Sequence, residues 1–250
     1  MAYGVFADVY DAFNEDADYD ALHKAIQARL KRFRVEGGIV VDLGCGTGDL
    51  TLLLAQDGYD MIGVDLSDEM LSILREKAEE NGVQNLLLLC QNLLELDLYG
   101  TVRAAVSTFD TFNHIGPYEH FCKALQRAAL FVEPGGVMIF DMNTPYKHQQ
   151  VLADNVYELE AEDVYCTWSN RLDRDNRLTE ISIDLLDKES GIHEKEIFQE
   201  YYYTLEQIQQ ACHKANLQIV EVCDGERFDS LQEESERYLI TAVKRRTDDG

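Results

Sequence analysis

Residues 40–50, "VVDLGCGTGDL", decide the fold. An apolar run ends in an acid, and glycines then stand at alternate positions 44, 46 and 48. Glycine enters backbone conformations closed to other residues, so this spacing lets the chain turn sharply and come close to a ligand. A helix starting at Thr47 would aim its free amide groups at that ligand. The dinucleotide pattern G-x-G-x-x-G requires a glycine where Asp49 stands, and a phosphate loop requires Gly-Lys-Ser/Thr, which does not follow.

Outward from the loop, short apolar runs alternate with helical patterns. "GGIVVDLG" reads as a buried strand and "TGDLTLLLAQDG" as a helix stopped at Gly58. "YDMIGVDL" is a second strand. "SDEMLSILREKAEENG" is a helix with Ser67 as its cap and Asn81-Gly82 at its end. "NLLLLCQ" and "RAAVSTFD" follow as strands three and four. "GPYEHFCKALQRAALFVEPGG" reads as a helix with a Pro-Gly-Gly stop, and "VMIFDMN" as strand five. Before the loop, "ADYDALHKAIQARLKRF" has helical spacing at Leu22, Ile26, Leu30 and Phe33, with acids first and bases last. Strand–helix alternation over residues 38–143 predicts right-handed crossovers, a parallel sheet and helices on both faces. In such sheets ligands bind beyond the carboxyl ends of the strands.

After Pro145 the texture changes. Alternating β-branched and aromatic residues with turns at "DRDN" and "KESG" predict an antiparallel meander of three or four strands. In "YYY", residues 201–203, Tyr202 is expected to face opposite to its neighbours. "TLEQIQQACHKAN" returns to helix, with Thr204 as cap, Glu206 one place too early for a capping box, and Gln207 at the third position able to complete one. "LQIVEVCDG" and "ERYLITAVKRR" are expected to complete the main sheet. The expected organisation is one domain from residues 1–145 and 204–246, with an inserted antiparallel β lid at 146–203.

The acids suggest the cofactor. Asp42, two residues before Gly44, would repel a pyrophosphate and attract an ammonium or a sulfonium. S-adenosylmethionine carries both and no phosphate. Asp65 ends the second strand, twenty-one residues after Gly44, where an acid accepts from ribose hydroxyls in nucleoside-binding folds. Asn92 follows the third strand, placed to accept from an adenine amino group, with Leu66 and Leu93 to sandwich the ring.

"VVDLGCGTG", "GVDLSDEML", "QNLLEL" and "STFDTFNHI", in that order, resemble the motifs of class I S-adenosylmethionine-dependent methyltransferases. "YYYTLEQIQQACHKANLQIVEV" is similar to that family's last helix and strand. "YGVFADVYDAF" resembles the start of a small-molecule-type bacterial branch with an inserted β-meander. The resemblance implies a Rossmann-like, mostly parallel seven-stranded sheet plus a small antiparallel β insertion. It implies cofactor contacts at Asp42, Gly44, Gly46, Gly48, Asp65, Leu66, Asn92 and Leu93, with Cys45 and Thr47 inside the same loop and Phe109 as a wall. Asn92 departs from the family's usual Asp. The implied reaction passes a methyl group to a small-molecule acceptor and leaves S-adenosylhomocysteine. Asp110, His114 and Tyr10 stand as candidate bases or substrate contacts, and the sequence does not choose among them.

Each reading has a plainer rival. Asp110 and Asn113 could cap a turn, Asn92 could be a turn residue, Tyr10 could pack on the sheet edge, and Cys45 could be small filler. At the level of function the rivals are an S-adenosylmethionine-binding regulatory protein without turnover, an NAD-dependent oxidoreductase, and an RNA methyltransferase. The failed glycine spacing and Asp42 disfavour the oxidoreductase.

Composition sets the outer bounds. The chain has 250 residues, 46% hydrophobic, enough for one full core. With 22 Lys and Arg against 47 Asp and Glu, the formal charge is −25, which disfavours nucleic-acid binding. Six scattered cysteines form no CxxC pair, so no metal is expected. The sequence shows neither a signal-peptide pattern nor a membrane-length apolar run, and the expectation is a cytoplasmic protein in which an exposed sheet edge could make a homodimer.

Overall fold

The computed structural model describes residues 18–160 and 164–246. In chain order the main elements are α1 (Tyr19–Arg32), β1 (Ile39–Leu43), α2 (Asp49–Gln56), β2 (Asp60–Asp65), α3 (Asp68–Glu80), β3 (Leu86–Cys90), β4 (Val102–Ser107), α4 (Tyr118–Phe131) and β5 (Val132–Asn143). Then come β6 (Val156–Glu160), β7 (Val164–Asp173), β8 (Leu178–Asp187), β9 (His193–Tyr201), α5 (Leu205–Lys214), β10 (Leu217–Asp224) and β11 (Arg237–Lys244).

Seven strands form one sheet in the order β10-β11-β5-β4-β1-β2-β3. The pairs from β5 to β3 are parallel, and β11 runs antiparallel to both of its neighbours. The strand order reverses between β1 and β4, and a crevice opens at such a switch point. Alternation along the strands feeds two cores. Val40, Ala104, Val106, Val137 and Ile139 face Leu22, Ile26 and Leu30 of α1 and Leu50 and Leu54 of α2. Val41, Ala105, Met138 and Phe140 face Phe121 and Leu125 of α4 and Ile208 and Ala211 of α5. Burial at roughly 1.5–3 kcal/mol for each large side chain is what fixes this register, because a one-residue slip would turn every one of them outward.

Strands β6 to β9 form a second, four-stranded antiparallel sheet, with its own small core of Cys166, Ile181, Ile183, Leu185 and Phe198. It joins the main body through Asn113, whose side-chain amide donates to the Tyr201 carbonyl at 2.8 Å and whose Oδ1 accepts from Asn143 N at 3.0 Å.

Three local expectations change. The Pro-Gly-Gly does not stop α4: the helix ends at Phe131, and β5 begins at once because Val132 pairs with Val102. The register then shifts, with Ala104 opposite Val137, and Gly135 (φ 85°) absorbs the extra residues as a bulge. Helix α2 starts at Asp49, not Thr47, since Gly48 at φ 88° still belongs to the turn. Tyr202 and Tyr203 lie past the end of β9 and are both buried, so period-two alternation does not govern them. Tyr203 stacks on Phe121 at 4.9 Å and Tyr202 on His148 at 4.9 Å. The capping box of α5 forms through Gln207 at its third position, the residue the sequence offered for it.

Candidate functional site

The loop after β1 is built around its glycines. Gly44 N and Cys45 N both donate to Val64 O, and Gly48 N donates to Cys45 O at 3.0 Å, which closes the turn. A Cβ on Gly48 would run into Leu74 of α3, and Gly48 has φ 88° besides. A Cβ on Gly46 would instead meet nothing within 4 Å among the described residues. The loop is thus packed tight from behind and open in front. Cys45 packs against the α2–α3 cluster, as filler would.

Asp42 ends β1 beneath this loop and is 2% exposed. Its Oδ2 accepts from Thr51 Oγ1 at 2.6 Å, while its buried Oδ1 has no hydrogen-bond partner among the described residues. Burial pushes its carboxyl up to about 7; the Thr51 bond opposes the rise and the nearby Asp65 charge adds to it. Asp65 accepts from Gly46 N and from Ser67 N, both at 2.9 Å, and so ties the ends of β1 and β2 together. Burial raises its carboxyl too, against the pull of these amides.

A cavity of about 370 Å³ opens in front of the loop, lined by Asp42, Gly46, Asp65, Leu66, Asn92 and Leu93. Asn92 Oδ1 accepts from Leu94 N at 2.9 Å and caps a short turn at Leu93–Glu95. Thr47 and Phe109 line the cavity as well. The structure therefore brings together all eleven residues expected at a cofactor. Of the three candidate bases it brings Asp110 and His114; Tyr10 lies outside the described residues.

The far half of the cavity starts at the residues after β4. Phe109 and Asp110 both adopt left-handed backbone, φ 54° and 52°, a conformation that costs non-glycine residues about 1–3 kcal/mol each and clusters at functional sites. Asp141 of β5 holds them there. Its two carboxylate oxygens accept from Phe109 N at 2.8 Å and Asp110 N at 2.7 Å. Arg237 of β11 lies 3.0 Å from both Asp141 and Asp110 and stands over the Phe109 ring. Burial opposes ionisation of Asp110, but the Arg237 guanidinium, with His114, holds its carboxyl well below the usual carboxylate range.

His114 Nε2 lies 3.3 Å from Asp110 Oδ2 and 3.7 Å from Glu200 Oε1. Burial disfavours the imidazolium, yet these two acids raise the His114 pKa overall. Glu200 comes from β9 of the second sheet. Its Oε2 accepts from Asn143 Nδ2 at 3.0 Å and faces His148 Nε2 at 3.7 Å. Burial and the Asp110 charge raise its carboxyl. His148, wholly buried, is pushed down to about 3 by that burial, and its Nδ1 bonds Thr179 Oγ1 of β8 at 2.8 Å. Asp110, His114 and Glu200 each present one possible ligand atom within 4.8 Å of the others, a cluster that sequence spacing did not reveal.

Sequence reasoning missed Glu200, Asp141, Asn143, His148 and Arg237. Asp141 and Asn143 had a usable signal, because they stand at the carboxyl end of strand five. Glu200 and Arg237 had none: their neighbours in the site lie dozens of residues away in the chain.

Residues 40–136 match the family model of a methyltransferase domain. A Geobacillus sp. (strain WCH70) protein, whose methyltransferase name is provisional, is 27% identical over 248 residues, 98% of this chain and 100% of its own. The crystal structure of an S-adenosylmethionine-dependent methyltransferase from Clostridium acetobutylicum ATCC 824 superposes with a TM-score of 0.87 at 26% identity, covering 98% of this chain and 99% of that one. The sugar N-methyltransferase KedS8 from Streptoalloteichus sp ATCC 53650 shares the fold, with a TM-score of 0.76 at 19% identity over 95% of this chain and 93% of its own. No helix among the described residues is long and apolar enough to cross a membrane.

Proposed function

We propose that this chain, a class I S-adenosylmethionine-dependent methyltransferase, methylates a small-molecule acceptor held in the far half of the cofactor's own cavity. The observation that carries the proposal is the continuity of that cavity from the glycine loop, past Phe109, to Asp110, His114 and Glu200. Its volume of about 370 Å³ falls in the range of small-molecule pockets, roughly 300–1,000 Å³. The fold shared with a sugar N-methyltransferase is in keeping with a small polar acceptor.

The residues present fit the cofactor. Asp42 Oδ1 is a buried acceptor without a donor among the described residues, and the space in front of Gly46 is one that a side chain would fill. We assign Asp42 to the cofactor's positive charge, the second lone pairs of Asp65 to its ribose, and Leu66, Asn92 and Leu93 to its adenine. When bound, S-adenosylmethionine supplies a methyl group made electrophilic by the sulfonium, and its leaving group needs no acid. The chain's share of the work is alignment and exclusion of water. Phe109, fixed by Asp141, walls the reacting region. Residues 146–203 serve as the lid over the body formed by 1–145 and 204–246, with Trp168 and Phe198 covering the acceptor end.

Two measurements test this reading. Calorimetry with S-adenosylhomocysteine is expected to give one site per chain. Transfer of labelled methyl from S-adenosylmethionine to metabolites of a cell extract is expected to label a small molecule. Absence of cofactor binding, or label found only on RNA, overturns the proposal.

A further inference from the structure

The acceptor end of the cavity contains more buried charge than alignment alone calls for. Three carboxylates, Asp110, Asp141 and Glu200, meet there with Arg237 and Lys147. Arg237 and the two backbone amides occupy Asp141. Asp110 and Glu200 remain directed at one another across His114. Behind them two polar atoms, Asn143 Oδ1 and His148 Nε2, are buried without a hydrogen bond among the described residues, and the latter faces Glu200. Burying such groups unpaired costs about 1–3 kcal/mol each, so the cluster is built for something that completes it.

Resting on the reading above, we propose that the acceptor is an amine that arrives as an ammonium ion, is anchored by Asp110 and Glu200, and gives one proton to Glu200 Oε1 before methyl transfer. The two acids sit in environments that divide the labour between them. Asp110 is paired with Arg237, stays ionised and serves as the anchor. Glu200 is fixed through its other oxygen by Asn143, has among the described residues only the histidines as cationic side chains within bonding distance, and is the better proton acceptor. The step balances. The R–NH3+ group loses one proton to the Glu200 carboxylate. The freed nitrogen lone pair forms the N–C bond as the S–C bond breaks, and that bond's electrons stay on sulfur. The products are R–NH2–CH3+ and neutral S-adenosylhomocysteine, and Glu200 later yields its proton to water. A monovalent ammonium suits the site better than a divalent metal, because Arg237 stands 3.0 Å from Asp110 and Lys147 lines the same wall.

Sinefungin tests this without knowledge of the acceptor. This cofactor analogue bears an amino group where the sulfonium methyl stands, so it directs an ammonium toward the acceptor end. The full chain is expected to bind sinefungin about tenfold more tightly than S-adenosylhomocysteine, as one added charge-assisted hydrogen bond implies. Glu200→Gln is expected to reduce that preference to about twofold or less while leaving S-adenosylhomocysteine affinity within about twofold, which also reports that the variant is folded. Asp110→Asn is a second variant with the same expected direction. A wild-type preference below about twofold, or one that survives both substitutions, overturns the ammonium site while leaving the cofactor assignment standing. So does tight binding of one Mn2+ per chain that Glu200→Gln abolishes. Failure of S-adenosylhomocysteine itself to bind overturns the cofactor reading instead.

Discussion

At the scale of single residues, Asp42 concentrates a conflict between stability and binding. Its carboxyl is pushed up to about 7 in the folded chain, from 3.8 in the absence of burial. A raised carboxyl pKa means that the folded state holds the proton more firmly than the unfolded state. Its stabilising contribution is therefore complete below about 4 and is lost as pH rises toward about 7. Asp42→Asn is expected to raise the melting temperature at pH 8 by several degrees and to weaken S-adenosylmethionine binding about tenfold or more. In the wild type, affinity for the cofactor is expected to fall as pH drops below about 7, because the proposed pairing of Asp42 with the cofactor's cations requires the ionised carboxylate. Titration calorimetry at pH 6 and pH 8 measures this directly. Asp42 and Asp65 were legible in the sequence because each ends a strand beside a turn. Asp141 was not read, although it too stands near a strand's carboxyl end. Its role consists of gripping two amides that follow a different strand, and no local pattern encodes that grip. Asp141→Ala is expected to destabilise the protein by about 3 kcal/mol, since it frees two strained residues and strands the Arg237 charge.

At the scale of elements, the glycine loop separates packing from ligand access. Gly48→Ala is expected to destabilise the fold by about 1–3 kcal/mol, because its Cβ collides with Leu74 at a backbone angle alanine resists. Gly46→Ala meets no atom of the described residues within 4 Å and is expected to carry the backbone cost of about 1–2 kcal/mol, but to weaken S-adenosylhomocysteine binding by more than Gly48→Ala does relative to stability lost. Paired denaturant melts and calorimetry distinguish the two. The parallel strands and their helices were readable because each carries its own period, caps and stops. The bulge in β5 was not, since Pro134-Gly135-Gly136 signals a break equally well to a helix and to a strand. The tyrosines at 201–203 misled for a related reason: alternation holds only while a strand lasts, and β9 ends at the first of them.

At the scale of the whole molecule, the formal charge of −25 acts on the fold as self-repulsion. Raising salt from about 0.02 M to about 0.3 M is expected to raise the melting temperature by a few degrees, and calorimetric scans in both conditions check it. Composition foretold the acidity but not its distribution, and the buried acids at the acceptor end were invisible to it. The two-sheet architecture carries a further consequence. Asp42 and Asp65 stand on the first sheet, whereas Glu200 is delivered from the second, across a junction secured by Asn113. Divergence can therefore rewrite reagent choice by editing a single hairpin, with the nucleoside-gripping machinery left as inherited, much as a tool changes its bit and keeps its motor.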